Sequence, residues 1–126
     1  MSDKQSILVV EDDPQYLVLL QEVLREENYL VHVAHDGGEG MKQFRIGQPD
    51  LVITDLVMPN KEGIELIQAI RGSRPDIPII AISGGYSFSK SALEISHDLG
   101  ADDVLEKPFR TAELLAKVSQ LLTGGD

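Results

Sequence analysis

Three acidic side chains, Glu11-Asp12-Asp13, follow directly on the apolar run Ile7-Leu8-Val9-Val10. A further acid, Asp55, ends the run Leu51-Val52-Ile53-Thr54; Ser83 ends Pro78-Ile79-Ile80-Ala81-Ile82; Lys107-Pro108 comes just after Val104-Leu105. Clustered carboxylates resist joint ionisation because like charges repel at short range, and a hard cation removes that cost. A small set of protein oxygens suits Mg²⁺, which keeps several waters and completes its shell with phosphate. No histidine or cysteine stands at these positions, which argues against zinc. Lys107 can pair with a carboxylate or with an arriving phosphate oxygen, and Ser83 can hydrogen-bond another. Phosphoryl transfer needs mainly positioning and neutralised oxygen charge. A carboxylate nucleophile that forms an aspartyl phosphate fits the set, with Asp55 as the nucleophile.

Each residue taken singly has a plainer use. Asp13 precedes Pro14 and reads as a helix cap rather than a ligand. Asp12 alone could also cap, Ser83 before Gly84-Gly85 could be a turn residue, and Lys107 could be a solvated surface lysine. Asp55 resists this reduction, because Leu56-Val57-Met58-Pro59 is not a helix start. His32, His35 and His97 have no ligand partner at a useful spacing and read as structural.

The elements that must deliver these groups alternate between short apolar runs and amphipathic stretches. After the first strand, Leu17, Leu20 and Leu24 repeat at helical spacing. Val31-His32-Val33-Ala34 alternates as a half-exposed edge strand does. Asp36 can cap a second helix with Met41 and Phe44 inward, although Gly37, Gly38 and Gly40 make its start poor. Ile64, Ile67 and Ile70 mark a third helix after Gly63. Phe88, Ala92, Ile95 and Leu99 mark a fourth, stopped by Gly100. Thr111 can cap the last helix, whose inner face is Leu114, Leu115, Val118 and Leu122. Five β-then-α units imply a parallel sheet with helices on both faces, and right-handed crossovers follow by default. Strands one, three and four are apolar on both sides and belong in the centre; strand two alternates and strand five is short, so they are edges. The expectation is an α/β, flavodoxin-like (βα)5 domain of strand order 2-1-3-4-5, which brings Glu11, Asp12, Asp55, Ser83 and Lys107 to the carboxyl rim where such sheets bind ligands.

The chain has 126 residues, which suits a single domain over 1–126 with no output domain, and it contains no cysteine. No disulfide framework or thiolate metal site is possible, and a cytoplasmic setting is expected. The formal net charge of −10 opposes direct binding to nucleic acid or anionic lipid. The polar Met1 to Gln5 does not read as a secretory signal, and no apolar stretch approaches the ~20 residues of a membrane helix.

From Ile7 to about Leu122 the sequence resembles the receiver domain of bacterial two-component response regulators. The segments that carry the resemblance are Ile7 to Pro14, Asp50 to Pro59, Gly63, Ile80 to Gly84 and Gly100 to Phe109, in order and at compatible spacing. The resemblance implies a regulatory phosphoacceptor, not an enzyme acting on other substrates, with self-catalysed phosphotransfer and autodephosphorylation only. Asp55 would take a phosphoryl group from a sensor histidine kinase or a histidine phosphotransfer protein. Asp12 and Asp55 would bind Mg²⁺ through side chains, Val57 through its carbonyl, and Glu11 mainly through water. Ser83 and Lys107 would hold phosphoryl oxygens, and the Lys107-Pro108 bond would be cis. Switching would move the fourth helix and fifth strand, to be read by a downstream protein effector. A homodimer through the fourth helix, fifth strand and last helix is a further expectation.

Two departures from the family pattern stand out. The position three before the lysine, usually an aromatic switch residue, is Val104, which has no ring to swing. The segment Gly84 to Lys90 is longer than usual and carries Tyr86 and Phe88, either of which could replace part of that readout, although Phe88 reads better as core. Two other readings compete, one with the same aspartyl-phosphate chemistry and one with the fold but no phosphorylation. A phosphatase of the haloacid-dehalogenase type needs a second Asp where Val57 stands. A binding-only pseudo-receiver would not need the intact set Glu11, Asp12, Asp55, Ser83 and Lys107.

Overall fold

A computed structural model describes residues 4–56, 62–83 and 100–123. Along the chain run β1 (Ser6–Val10), α1 (Pro14–Glu26), β2 (Leu30–Ala34), α2 (Gly37–Gly47), β3 (Leu51–Asp55), α3 (Glu62–Ser73), β4 (Ile79–Ser83), β5 (Asp103–Glu106) and α4 (Thr111–Leu122). The strands form one parallel sheet in the order β2-β1-β3-β4-β5, the order expected from their apolar patterns. β1, β3 and β4 are buried along their whole length, whereas β2 and β5 carry exposed positions, as edges do. The helix expected over Phe88 to Leu99 lies outside the described residues, as do Val57, Gly84, Tyr86 and His97.

Successive side chains of a strand point to opposite faces, so β1 supplies two cores. Leu8 and Val10 pack with Phe44 of α2 and Leu66, Ile67 and Ile70 of α3. Ile7 and Val9 pack with Leu20 and Leu24 of α1 and Leu114 and Val118 of α4. Burying each such Leu, Ile or Val stabilises the fold by about 1.5–3 kcal/mol.

The helix starts follow their caps. Asp13 is extended and accepts from the Gln15 N–H at 2.9 Å, with Pro14 at the first helical position. α2 begins among glycines because Asp36 caps it, accepting from the Glu39 N–H at 2.7 Å. Its Gly40 has a packing reason: a Cβ there would lie 3.1 Å from both Leu66 and Val10, so the bare backbone lets α2 settle onto the sheet and α3. Two expectations are corrected. α3 starts at Glu62, so Gly63 lies inside its first turn. Thr111 does not cap α4: the extended residue is Arg110, whose carbonyl accepts from the Glu113 and Leu114 N–H groups at 3.0 and 3.2 Å, and no side chain caps that end. The helix begins one residue before a threonine hydroxyl could serve it.

Candidate functional site

The carboxyl ends of β1, β3 and β5 converge. Glu11 continues the β1 line, its N–H donating to the Ala34 carbonyl at 3.1 Å, and it is fully buried. Asp12 beside it is exposed, and Asp13 is turned away to cap α1. Asp55 is the last residue of β3 and is buried. Carboxylate oxygens of Glu11, Asp12 and Asp55 all lie within 4.8 Å of one another. Lys107 reaches into this group from beyond β5. Its Nζ stands 2.8 Å from Glu11 Oε1 and 3.3 Å from Asp55 Oδ2.

Backbone contacts fix these side chains. The Lys107 N–H donates to the Ser83 carbonyl at 2.9 Å, and the Leu56 N–H donates to the Ile82 carbonyl at 2.9 Å, so the ends of β3, β4 and β5 are tied together. Ser83 is buried at the end of β4, one residue beyond Ile82, the register partner of Asp55. Gly63 lies directly under the site: a Cβ on it would run into the Asp55 carbonyl oxygen, so only glycine permits α3 to begin there. The Lys107-Pro108 peptide bond is cis. Val104 is partly buried on β5 and packs against the core on the α2 and α3 face.

The electrostatics follow from this crowding. Burial pushes the Glu11 carboxyl up to about 7; the Lys107 ammonium and the Asp13 N–H pull it down, and the Asp55 charge adds to the rise. For Lys107 burial acts to lower the pKa, but Glu11 and Asp55 outweigh it and the ammonium is held above its usual range. Glu11 Oε2 accepts from the Asp13 N–H at 3.1 Å, while the buried Oε1 has no hydrogen-bond partner and meets Lys107 only as an opposite charge. A buried carboxylate oxygen left in that condition, beside two more acids, is a donor set that a hard cation would complete. The set is all oxygen, as Mg²⁺ prefers.

The structure thus brings Glu11, Asp12, Asp55 and Lys107 into one cluster and places Ser83 on the adjoining strand end. His35 is exposed and pairs with Glu39 at 2.9 Å, away from any metal-binding group among the described residues. Sequence reasoning missed Tyr16. Its ring faces Lys107, with Nζ 4.2 Å from the ring centroid. The available signal was its place in the first turn of a helix that starts directly after the acids.

Residues 7–119 match the family described as the response regulator receiver domain. Over 116 residues the chain is 38% identical to response regulator MprA of Mycobacterium tuberculosis, covering 92% of this chain and 50% of that protein. The chain spans about half the length of the curated relatives it matches. Among solved structures, a CheY-like receiver domain protein from Methanospirillum hungatei is 29% identical, with TM-score 0.88, covering 98% of this chain and 97% of that one. Response regulator TrrA of Thermotoga maritima, solved in complex with Mg²⁺ and BeF, is 40% identical with TM-score 0.81, covering 93% of this chain and 98% of that one.

Proposed function

The chain belongs to the response regulator receiver domain family of two-component signalling, and from that premise we propose that Asp55 is its phosphoacceptor. The observation that carries the reading is the buried Asp55 carboxylate, within 4.8 Å of two further acids and 3.3 Å from the Lys107 ammonium. An Asp55 oxygen attacks the phosphorus of a phosphohistidine on a sensor kinase or phosphotransfer protein. The P–O bond forms as the P–N bond breaks, and the imidazole nitrogen leaves with the electron pair. Autodephosphorylation is attack of water on the same phosphorus, which returns Asp55 as a carboxylate and releases inorganic phosphate.

The remaining residues take distinct parts. Asp12 and Asp55 would hold Mg²⁺ through side chains and Glu11 mainly through water, while the further carbonyl ligand that the family pattern implies falls on Val57, outside the described residues. Bound there, Mg²⁺ would neutralise oxygen charge on the phosphoryl group. Lys107 exchanges its contact with Asp55 for a phosphoryl oxygen, so the ammonium keeps an anionic partner throughout. Ser83 supplies a hydroxyl to another oxygen. Its shift toward the phosphoryl group biases the packing around β4 and β5, and a protein effector that prefers one packing reads the change. Val104 puts an aliphatic side chain at the position where that shift is felt. The domain is a cytoplasmic regulatory module acting through protein partners and, when paired, through a homodimer face that includes β5 and α4.

The test is exposure to a small phosphodonor, with and without Mg²⁺, followed by intact mass. The expected result is a gain of one phosphoryl group that needs Mg²⁺ and disappears in Asp55→Asn. Persistence of the gain in that variant overturns the assignment.

A further inference from the structure

The cluster around Lys107 has a third wall besides Glu11 and Asp55. Tyr16 lies in the first turn of α1, two residues after Pro14. Its ring covers the ammonium, with Nζ 4.2 Å from the centroid, well inside the ~6 Å within which a cation is attracted to an aromatic face. Phe109, two residues after Lys107, braces the ring from its other neighbourhood, with centroids 5.9 Å apart and planes inclined by 44°. That tilted geometry is one that aromatic pairs favour. Phe109 in turn packs against the core on the α1 and α4 face, so the ring is backed by fixed structure. The result is a lysine side chain only 16% exposed, although it belongs to a loop.

We propose that Tyr16 is a positioning residue for phosphoryl transfer: its ring face holds the Lys107 ammonium over the Asp55 carboxylate. The proposal deepens the phosphoacceptor reading and rests on Lys107 as a phosphoryl ligand. Lysine has a long flexible stem and a strongly hydrated head, so a free ammonium would spend much of its time in water. Asp55 Oδ2 accepts only a long hydrogen bond from it at 3.3 Å, and Glu11 Oε1 faces it at 2.8 Å as an opposite charge. The ring limits the volume the ammonium can sample and excludes water from one side. It does so without competing for a donor proton, so the N–H groups stay available for a phosphoryl oxygen. A leucine at position 16 would fill comparable space but offer no quadrupole.

The experiment compares rates of phosphorylation by a small phosphodonor with Mg²⁺ in the full chain. Variants are Tyr16→Leu, Tyr16→Phe, Lys107→Ala and the double Tyr16→Leu/Lys107→Ala. From the strength of partly desolvated cation–π contacts, Tyr16→Leu is expected to slow uptake about 3- to 10-fold. Tyr16→Phe, which keeps the ring, recovers most of that loss. In the Lys107→Ala background the leucine substitution adds less than about 2-fold, because residues that act through one another are not additive. A Tyr16→Leu rate equal to wild type, or an equal loss in both backgrounds, overturns the positioning role and leaves the phosphoacceptor reading standing. A Lys107→Ala rate equal to wild type removes Lys107 from the reaction and the tyrosine with it, while the Asp55→Asn result is unaffected. Folding of each variant is checked by an amide spectrum unchanged away from the substitution; in the variants that keep Lys107, the upfield ring-current shift of its Hε protons should be present with Tyr or Phe and lost with Leu.

Discussion

The two ends of the sheet are built on opposite principles. At the amino end charges are neutralised by hydrogen bonds within the protein. Arg71 of α3 donates to the carbonyls of Gly100, Pro75 and Ile77 at 2.9, 2.8 and 2.6 Å and to Asp102 Oδ2 at 2.7 Å. Asp102 also accepts from the Ile79 N–H, Asp50 accepts from the Ser6 N–H, and Arg74 donates to the Pro49 carbonyl. At the carboxyl end three acids cluster, two of them on one ammonium, and among the described residues Glu11 Oε1 has no hydrogen-bond partner. The amino end has local electrostatics that stabilise the fold. The carboxyl end crowds like charges that an incoming cation or a proton on Glu11 would relieve, the pattern of a functional site held in place by the rest of the molecule.

That contrast can be broken by substitutions that separate activity from stability. Asp55→Asn should abolish phosphoryl uptake altogether, read by intact mass, while its thermal midpoint stays at or above that of the wild type, since one of three crowded like charges is gone. A midpoint well below wild type would mean that Asp55 is part of the structural frame. Arg71→Ala should do the reverse. It strands three backbone carbonyls and Asp102, and the expected loss is about 2–4 kcal/mol in urea unfolding, with phosphorylation of the folded fraction retained. Arg71→Lys should restore little, because an ammonium cannot span four acceptors that a planar guanidinium reaches. Gly63→Ala is the case that joins the two ends of the comparison. Its Cβ collides with the Asp55 carbonyl, so α3 must move, at a cost of about 1–3 kcal/mol and with slower uptake as the acceptor shifts. Normal uptake with reduced stability would show that the acceptor tolerates the displacement.

Much of this was legible in the sequence, and the parts that were not have physical reasons. Periodicity located the five strands, and both-face apolarity put β1, β3 and β4 in the centre, because burial on two sides leaves no polar alternation. That order alone brought Glu11, Asp12, Asp55, Ser83 and Lys107 to one rim. Cap chemistry was right for Asp13 and Asp36, where the side chain itself bonds the helix, and wrong for Thr111, where the Arg110 backbone opens α4 without any side chain. Gly40 read as a weak helix residue, since propensity cannot see that Leu66 and Val10 crowd its face. Arg71 and Tyr16 were passed over because their roles depend on contacts across 31 and 91 positions of chain, which no local pattern encodes.

The smallest effect tests the electrostatic half of the comparison directly. Burial raises the Glu11 carboxyl from 4.5 in the open chain to about 7 in the fold. Between those values the folded state binds the proton that the unfolded state has released. Stability therefore falls as pH rises through this window, and levels off above it. Below about 4.5 both states carry the proton and Glu11 contributes no slope. Without divalent cation, urea unfolding of the wild type should show this decline, and Glu11→Gln, which has no proton to lose, should flatten it. Added Mg²⁺ should restore stability chiefly at the alkaline end, because it binds the deprotonated acids. If Glu11→Gln keeps the wild-type slope, the burial cost lies elsewhere and the carboxyl end is no less neutralised than the amino end.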